Sequence, residues 1–196
     1  MKQTIFLIGN PAAGRNALRK INKAADIIKN RGHDVRALLT GKRGDAESFA
    51  REIAVNQTLI SNPHDLPLII AAGGDGTYNE VINGIACTNI PMAILPLGTT
   101  NVLAKELGIS KSIETAVSIA LERNSRHVSL GRITIEASSE MPQNSRYFCL
   151  MAGIGYDAET VYGIKDEIKK YSGKGAYILS GLKTLLRWAP DKLTFT

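Results

Sequence analysis

Apolar runs alternate with amphipathic stretches along the first part of the chain. The runs at residues 4–9, 35–39, 66–72 and 92–95 have the length and composition of strands. Residues 66–72 are apolar throughout, which is typical of a strand buried in a parallel sheet. The intervening stretches repeat apolar residues every three or four positions, as helices do. This βαβα order predicts an α/β fold, a parallel sheet with helices on both faces. The predicted helices occupy residues 18–28, 46–54, the stretch after Gly76, 101–107 and 113–121.

The pattern changes near Arg126. Residues 127–130 and 133–135 alternate like an antiparallel strand whose phase shifts near Gly131, and residues 147–151 predict a returning strand. We therefore place a domain boundary near residues 123–125. This gives an α/β domain over residues 1–124 and the beginning of a β-rich second domain over residues 125–196.

The last part of the chain predicts two helical stretches, at residues 157–170 and 175–188. Residues 193–196 then resemble a strand that has just begun. An edge strand at the last residue suggests that the chain is truncated within its second domain.

Composition narrows the class of protein. The 196 residues are 44% hydrophobic and 21% charged, as in ordinary globular domains. No apolar run approaches the ~20 residues of a membrane span, and no signal peptide is evident. Cys87 and Cys149 lack metal-ligand spacing, so we expect reduced thiols and a cytoplasmic protein. The formal net charge of +6 favours an anionic partner without choosing among nucleotides, acidic lipids and nucleic acid.

The most informative segment is the turn Gly73-Gly74-Asp75-Gly76-Thr77. It lies between the buried strand at residues 66–72 and a helix. Glycines let the main chain approach a ligand, and backbone amides at a helix start can hold a phosphate. Asp75 adds a carboxylate that can bind magnesium or accept a proton. A tight turn with an aspartate cap is the structural alternative.

Polar residues also follow the other predicted strands. Asn10, Thr40 and the segment at residues 96–101 each come directly after a strand, where ligands of parallel sheets bind. Asn10-Pro11 can equally be a structural Asx-turn, and Asp45 a cap or first-turn carboxylate of the next helix.

Several other functions lack their residues. The segment at residues 9–16 imitates a P-loop but carries Arg15 and Asn16 in place of lysine and Ser/Thr. No G-x-S-x-G elbow is present, and the third glycine of a dinucleotide fingerprint is missing. The three histidines are scattered, which argues against a metal centre.

Taken together, these segments resemble the diacylglycerol kinase catalytic-domain family, which includes bacterial lipid kinases and sphingosine kinases. NAD kinases and phosphofructokinases share its G-G-D-G core. The resemblance rests on ordered motifs that run from about Thr4 to the end of the chain. They are N-P-x-x-G at residues 10–14, Thr40 with G-D-A at 44–46, G-G-D-G-T with Asn79-Glu80 and Asn83-Gly84, P-x-G-T-x-N at 96–101, and G-x-G-Y-D-A at 153–158. Ala13 departs from the usual serine.

The resemblance implies ATP-dependent phosphorylation of a lipid hydroxyl, with ATP and Mg²⁺ as cofactors. It implies an NAD kinase/phosphofructokinase-like nucleotide-binding domain at residues 1–124 and a β-sandwich lipid-substrate domain after it. Asp75 is the expected catalytic residue and metal ligand. The expected nucleotide-binding residues are Asn10, Thr40, Gly73, Gly74, Asp75, Gly76, Thr77, Asn79, Thr99 and Asn101. In the family, the carboxylate that acts as general base lies in a later segment, beyond Thr196.

Expected partners are ATP and a lipid alcohol, with peripheral contact at the anionic inner face of a membrane and a possible homodimer. Basic residues around 165–187 would face the headgroups. Two alternatives remain open: an NAD kinase-type enzyme, and an inactive, truncated nucleotide-binding module. Nucleic-acid binding rests on charge alone, since aromatic platforms are absent from the pattern, so we expect no nucleic acid.

Overall fold

The computed structural model describes residues 4–57, 66–122, 124–135 and 144–153. Strands and helices alternate through the first three of these ranges, as the apolar pattern predicts. The elements are β1 (Thr4–Gly9), α1 (Ala17–Asn30), β2 (Asp34–Leu39), α2 (Asp45–Asn56), β3 (Leu68–Gly73), α3 (Asp75–Ile85), β4 (Met92–Pro96), α4 (Val102–Glu106), α5 (Ile113–Glu122), β5 (Gly131–Ile135) and β6 (Asn144–Phe148).

Strands β1 to β4 form one parallel sheet in the order β2-β1-β3-β4. The chain moves from β1 outward to β2 and then returns past β1 to β3, so the strand order reverses between β1 and β3. In sheets of this kind the loops diverge at the reversal and leave a crevice at the carboxyl ends of the strands. The predicted α/β fold with a parallel sheet is confirmed.

Alternating residues of the central strands supply two hydrophobic layers. Ile70 belongs to the layer that also contains the buried faces of α1 and α5. The next residue back, Ile69, belongs to the layer that contains α2, α3 and α4. Side chains alternate between the faces of a strand, so helices cover both faces of the sheet. This double covering explains why β3 is apolar at every position.

Helices α2 and α3 approach each other most closely at Gly84. A Cβ added there would lie 2.6 Å from the Cβ of Ala50 and 2.7 Å from the carbonyl oxygen of Glu47. One of these neighbours is backbone and cannot rotate away. Gly84 is therefore required for the packing of the two helices.

We expect Gly84→Ala to lower the free energy of unfolding by about 1–3 kcal/mol, because the methyl group overpacks the helix interface. Gly76→Ala is the matched control, since both glycines lie in α3 and a Cβ at Gly76 meets nothing within 4 Å. The control should gain up to about 1 kcal/mol from better helix propensity. Urea unfolding of both variants measures the difference, and equal effects would contradict the packing argument.

Strands β5 and β6 pair antiparallel, with Gly131 opposite Phe148 and Ile135 opposite Asn144. The predicted antiparallel pair is confirmed, but its bounds differ from the prediction. Residues 127–130 are not a strand, because the pairing begins only at Gly131. The returning strand starts at Asn144, earlier than predicted, and ends at Phe148. The prediction missed its start because the first three residues face solvent and show no apolar pattern.

The chain divides into two compact units, residues 1–150 and 151–196. All the elements above belong to the first unit. The predicted boundary near residues 123–125 stays a prediction. The segment at 153–158 beyond Gly153, the helical stretches at 157–170 and 175–188, the basic residues around 165–187 and the strand at 193–196 lie outside the described residues.

Candidate functional site

Four loops meet at the carboxyl edge of the sheet, held together by backbone hydrogen bonds. The amide of Asn10 donates to the carbonyl of Ala72 at 2.9 Å, and that of Thr40 donates to Gly9 at 2.9 Å. On the other side of β3, the amide of Leu97 donates to Gly73 at 2.8 Å. The loops after β1, β2, β3 and β4 therefore form one continuous rim, as the sequence predicts.

The turn between β3 and α3 lies beside the crevice where the strand order reverses. Helix α3 begins at Asp75, and its first backbone bond joins the amide of Tyr78 to the carbonyl of Gly74 at 3.1 Å. The amides of Asp75, Gly76 and Thr77 therefore have no acceptor within the helix, and within the part of the chain that the structure describes no side chain caps the start of α3. Such a helix end binds anions through its free N–H groups and its dipole.

Gly76 leaves the space in front of these amides open. It is exposed, and nothing lies within 4 Å of the position that a Cβ would occupy. The open space fits a ligand that approaches the backbone directly.

The other glycines of the rim permit contact between loops. A Cβ on Gly98 would lie 2.8 Å from the Cα of Gly74, and one on Gly14 would lie 2.5 Å from the carbonyl oxygen of Leu97. The loop after β4 is thus packed between the other two through main-chain contacts. A side chain at Gly98 or Gly14 would separate these loops.

Asp75 connects the turn to helix α4. Its Oδ2 accepts from the amide of Val102 at 2.9 Å, and its Oδ1 accepts from the amide of Leu103 at 3.0 Å. The carboxylate therefore caps α4 from a neighbouring helix, while Asn101, the residue in the N-cap position, makes no side-chain cap bond. Asp75 lies in the first turn of its own helix, but both of its oxygens serve another one.

Tyr78 stabilises the turn through a buried hydrogen bond. Its side chain is only 1% exposed, and its hydroxyl donates to the carbonyl of Gly73 at 2.8 Å. The same carbonyl accepts from the amides of Leu97 and Gly98. Burial raises the pKa of the Tyr78 phenol well above its usual value of 10.0, and the negative charge of Asp75 raises that pKa further.

We expect the chain to lose stability at alkaline pH through Tyr78. Its folded-state pKa lies above the unfolded value, so the stabilisation is complete below pH 10 and decreases as pH rises further. The slope for one such group approaches about 1.4 kcal/mol per pH unit. Urea unfolding between pH 8 and 11 should show a shallower decrease for Tyr78→Phe than for the wild type. Identical slopes would mean that the phenol does not stay protonated in the fold.

Asn10 and Thr40 follow the ends of β1 and β2. The Oδ1 of Asn10 accepts from the amide of Ala12 at 2.8 Å, which makes the Asx-turn that the sequence left as an alternative. Its Nδ2 makes no hydrogen bond to another described residue. Thr40 is half-buried, and Asp45 closes the loop after it by accepting from the amides of Gly41 and Lys42 at 2.8 and 2.9 Å. These bonds lower the pKa of Asp45.

The remaining predicted side chains differ in how far they reach the crevice. Thr77 is 6% exposed and lies against Gly73, so it faces the protein, whereas Thr99 is exposed on the loop after β4. Asn79 is half-buried one turn along α3. Asn101 is 3% exposed and donates to the carbonyl of Gly98 at 2.6 Å. Its Oδ1 is buried and has no partner among the described residues.

Glu80, which follows Asn79 in α3, has a structural role that the sequence does not predict. Its carboxylate accepts from the amide of Ala46 at 3.3 Å and so caps helix α2, whose own N-cap residue is Gly44. Asn83 likewise binds the backbone of Tyr147, and Gly84 allows α3 to pack closely against α2. Sequence alone does not show which backbone group a Glu or Asn on a helix will bind, because the partner lies on another segment of the chain.

Metal chemistry at this rim would depend on Asp75. Within the described residues, no group of three or more His, Cys, Asp or Glu side chains could hold a metal ion. Mg²⁺, however, is commonly bound through one or two carboxylates together with substrate phosphates and water. The donor set here fits a magnesium ion that arrives with a nucleotide, and not a site built by side chains alone.

Known proteins resemble this chain over most of its length. Residues 4–133 match the family described as Diacylglycerol kinase catalytic domain. The chain is 32% identical over 191 residues to a protein named Diacylglycerol kinase from Bacillus subtilis (strain 168), covering 95% of this chain and 57% of that protein. It is 31% identical over 188 residues to the protein of the same name from Staphylococcus aureus (strain Newman), covering 94% and 54%.

A solved structure agrees. The crystal structure of a diacylglycerol kinase from Bacillus anthracis str. Sterne superposes with a TM-score of 0.53 at 26% identity, covering 91% of this chain and 56% of that chain. The chain spans about half the length of the curated relatives it matches. The predicted resemblance and the predicted NAD kinase-like fold class are confirmed.

Proposed function

Because the chain belongs to the diacylglycerol kinase catalytic-domain family, we propose that it forms the nucleotide-binding part of an ATP-dependent lipid kinase. The reaction transfers the γ-phosphoryl group of ATP to the hydroxyl of a lipid alcohol. Support comes from the relatives named diacylglycerol kinase. The observation that carries the proposal is the set of amides at Asp75, Gly76 and Thr77, which no described side chain caps, at a helix start where Gly76 is exposed.

Phosphoryl transfer requires the protein mainly to position the phosphates and to balance their charge. The three amides of the α3 turn bind phosphate oxygens, and the dipole of the helix adds to the attraction. The exposed Thr99 hydroxyl and the half-buried Thr40 contact the nucleotide from the flanking loops. Gly73 and Gly74 shape the turn, while Thr77 supports it from within.

Asn101 contributes a different kind of contact. Phosphate oxygens only accept hydrogen bonds, so the unpaired Oδ1 of Asn101 cannot bind them. Because this oxygen is buried, it suits a small donor such as a water molecule. The Nδ2 of Asn10, which makes no hydrogen bond to another described residue, suits an acceptor, including phosphate.

Asp75 is the proposed catalytic carboxylate. It holds α4 in place and leaves one lone pair on each oxygen for water or metal. Mg²⁺ bound with ATP would neutralise the charge that develops on the phosphates. Because both oxygens already accept backbone bonds, Asp75 is better suited to supply fixed negative charge than to remove the proton of the acceptor hydroxyl.

The acceptor is an apolar molecule that the protein must reach at a membrane or in a micelle. Among the helices of the described residues, none is both long and apolar enough to cross a bilayer. We propose peripheral contact with an anionic membrane face on the basis of the net charge of +6.

Two measurements test the function. Calorimetry with a non-hydrolysable ATP analogue and Mg²⁺ should show one site on the 196-residue chain. Transfer of radiolabelled phosphate from ATP should then be screened against diacylglycerol, a sphingoid base and a polyprenol in mixed micelles, with NAD as a competing acceptor. Labelled lipid supports the proposal. Labelling of NAD alone, or no ATP binding, contradicts it.

A further inference from the structure

The side chain of Asn83 is paired with the backbone of a single residue of strand β6, Tyr147. Its Nδ2 donates to the carbonyl of Tyr147 at 2.9 Å, and its Oδ1 accepts from the amide of Tyr147 at 2.9 Å. The same Nδ2 donates to the carbonyl of Asn79 at 2.8 Å. The carboxamide therefore satisfies both polar groups of one β6 residue, as a neighbouring strand would.

The other polar contacts that the structure describes between the β5–β6 hairpin and the helices are weaker. Arg146 forms an ion pair with Glu47 of α2 at 2.5 Å, but its side chain is 47% exposed, and exposed ion pairs contribute little. The hydroxyl of Tyr147 lies 3.5 Å from the Sγ of Cys87, an exposed residue just after α3. Asn83 is half-buried and makes the two-point contact, so it is the main polar attachment of the hairpin.

Asn83 is carried by the helix whose first turn faces the crevice. It lies eight residues after Asp75, which corresponds to about 12 Å along the helix axis. Helix α3 is fixed by the hydrogen bond of Tyr78 to Gly73 near its start and by the close packing of Gly84 on α2 just after Asn83. One rigid helix therefore holds the anion-binding turn at its start and the hairpin near its end.

We propose that Asn83 is a positioning residue for phosphoryl transfer: it fixes the β5–β6 hairpin at a set distance from a nucleotide bound at the start of α3. The inference rests on the proposed function, because it assumes that a phosphate occupies the α3 turn. Asn83 does not touch the nucleotide. Its removal releases the hairpin from α3, which slows phosphate transfer and leaves nucleotide affinity intact.

The test compares Asn83→Ala with Arg146→Gln in the 196-residue chain. Asn83→Ala leaves the amide and carbonyl of Tyr147 without partners, whereas Arg146→Gln removes only the exposed ion pair of the same hairpin. Hydrogen exchange should show the Tyr147 amide exchanging about tenfold to a hundredfold faster in Asn83→Ala and near the wild-type rate in Arg146→Gln. Asn83→Asp serves if the alanine variant does not fold, because it keeps the size and the acceptor but loses the donor.

Function is measured as the transfer of labelled phosphate to a short-chain diacylglycerol in micelles, by chains that carry the same substitutions and extend past Thr196 to include the carboxylate expected as general base. For Asn83→Ala we expect kcat to fall at least about tenfold with the KM for ATP and the calorimetric affinity unchanged. An equal loss of ATP affinity, or an unchanged kcat, would overturn the proposal, as would the same loss in Arg146→Gln. If the wild type binds no ATP, the proposed function fails, while the exchange data still report whether Asn83 fixes the hairpin.

Discussion

Gly76→Asp is expected to weaken ATP binding by at least about a hundredfold while leaving the chain as stable as the wild type or slightly more so. The new carboxylate would occupy the open space in front of the α3 amides, where like charges about 4 Å apart repel by several kcal/mol at intermediate dielectric. The free fold should tolerate it. An acidic residue in a first turn stabilises a helix by about 0.3–1 kcal/mol, and glycine is a poor helix former.

Thr115→Asp is the matched control, because Thr115 is exposed in the first turn of α5, in a different loop region. Both substitutions add the same charge at the same kind of position. Calorimetry with an ATP analogue should show a loss in Gly76→Asp alone, and urea unfolding should show no loss of stability in either variant. Wild-type affinity in Gly76→Asp would remove the α3 turn from the nucleotide site.

Asp75→Asn is expected to reduce phosphate transfer by at least about a hundredfold and to lower the free energy of unfolding by about 1–3 kcal/mol. An asparagine has one acceptor oxygen and places its NH₂ against a second amide, so either Val102 or Leu103 loses its partner. A carboxamide also cannot supply the negative charge that magnesium requires. The side chain therefore affects both the fold and the reaction.

Asp45→Asn is the comparison for charge, because it removes a carboxylate elsewhere in the rim whose two amide bonds share one oxygen, which an asparagine can keep. It should leave transfer close to the wild-type rate. Assays of labelled-lipid formation and of urea unfolding on both variants give the comparison. If the two variants lose the same activity, Asp75 acts only as a cap. Near-normal turnover in Asp75→Asn would exclude any catalytic role.

The sheet and its helices could be predicted because a sheet buried on both faces requires strands that are apolar throughout and helices with one apolar face. Residues 68–73 are buried at every position, and the helices repeat apolar residues toward the same layers. The placement of Asn10, Thr40 and residues 96–101 at one edge follows from strand direction alone. None of these inferences needs a tertiary contact.

Side-chain partners could not be predicted, because the backbone amides that donate to these carboxylates belong to other segments of the chain. The pattern gives Asp75 as an acid in a turn, and only the folded chain shows that it caps α4. Strand bounds failed in the hairpin for a related reason. Val128 and Leu130 alternate correctly, yet pairing starts at Gly131, and the exposed Asn144–Phe148 strand has no apolar signal at its start.

The division of labour along α3 limits how the G-G-D-G segment could be reused in protein engineering. The exposed Gly76 and the first amides of α3 are available to a ligand, while Asp75, Glu80 and Asn83 of the same helix each bind the backbone of a different neighbour. Grafting the segment onto another strand–helix unit would transfer the cradle together with three polar side chains that find no amides to bind. A working transplant must therefore carry the starts of α2 and α4 and the β6 strand as well, which makes this a motif of the whole domain and not a portable loop.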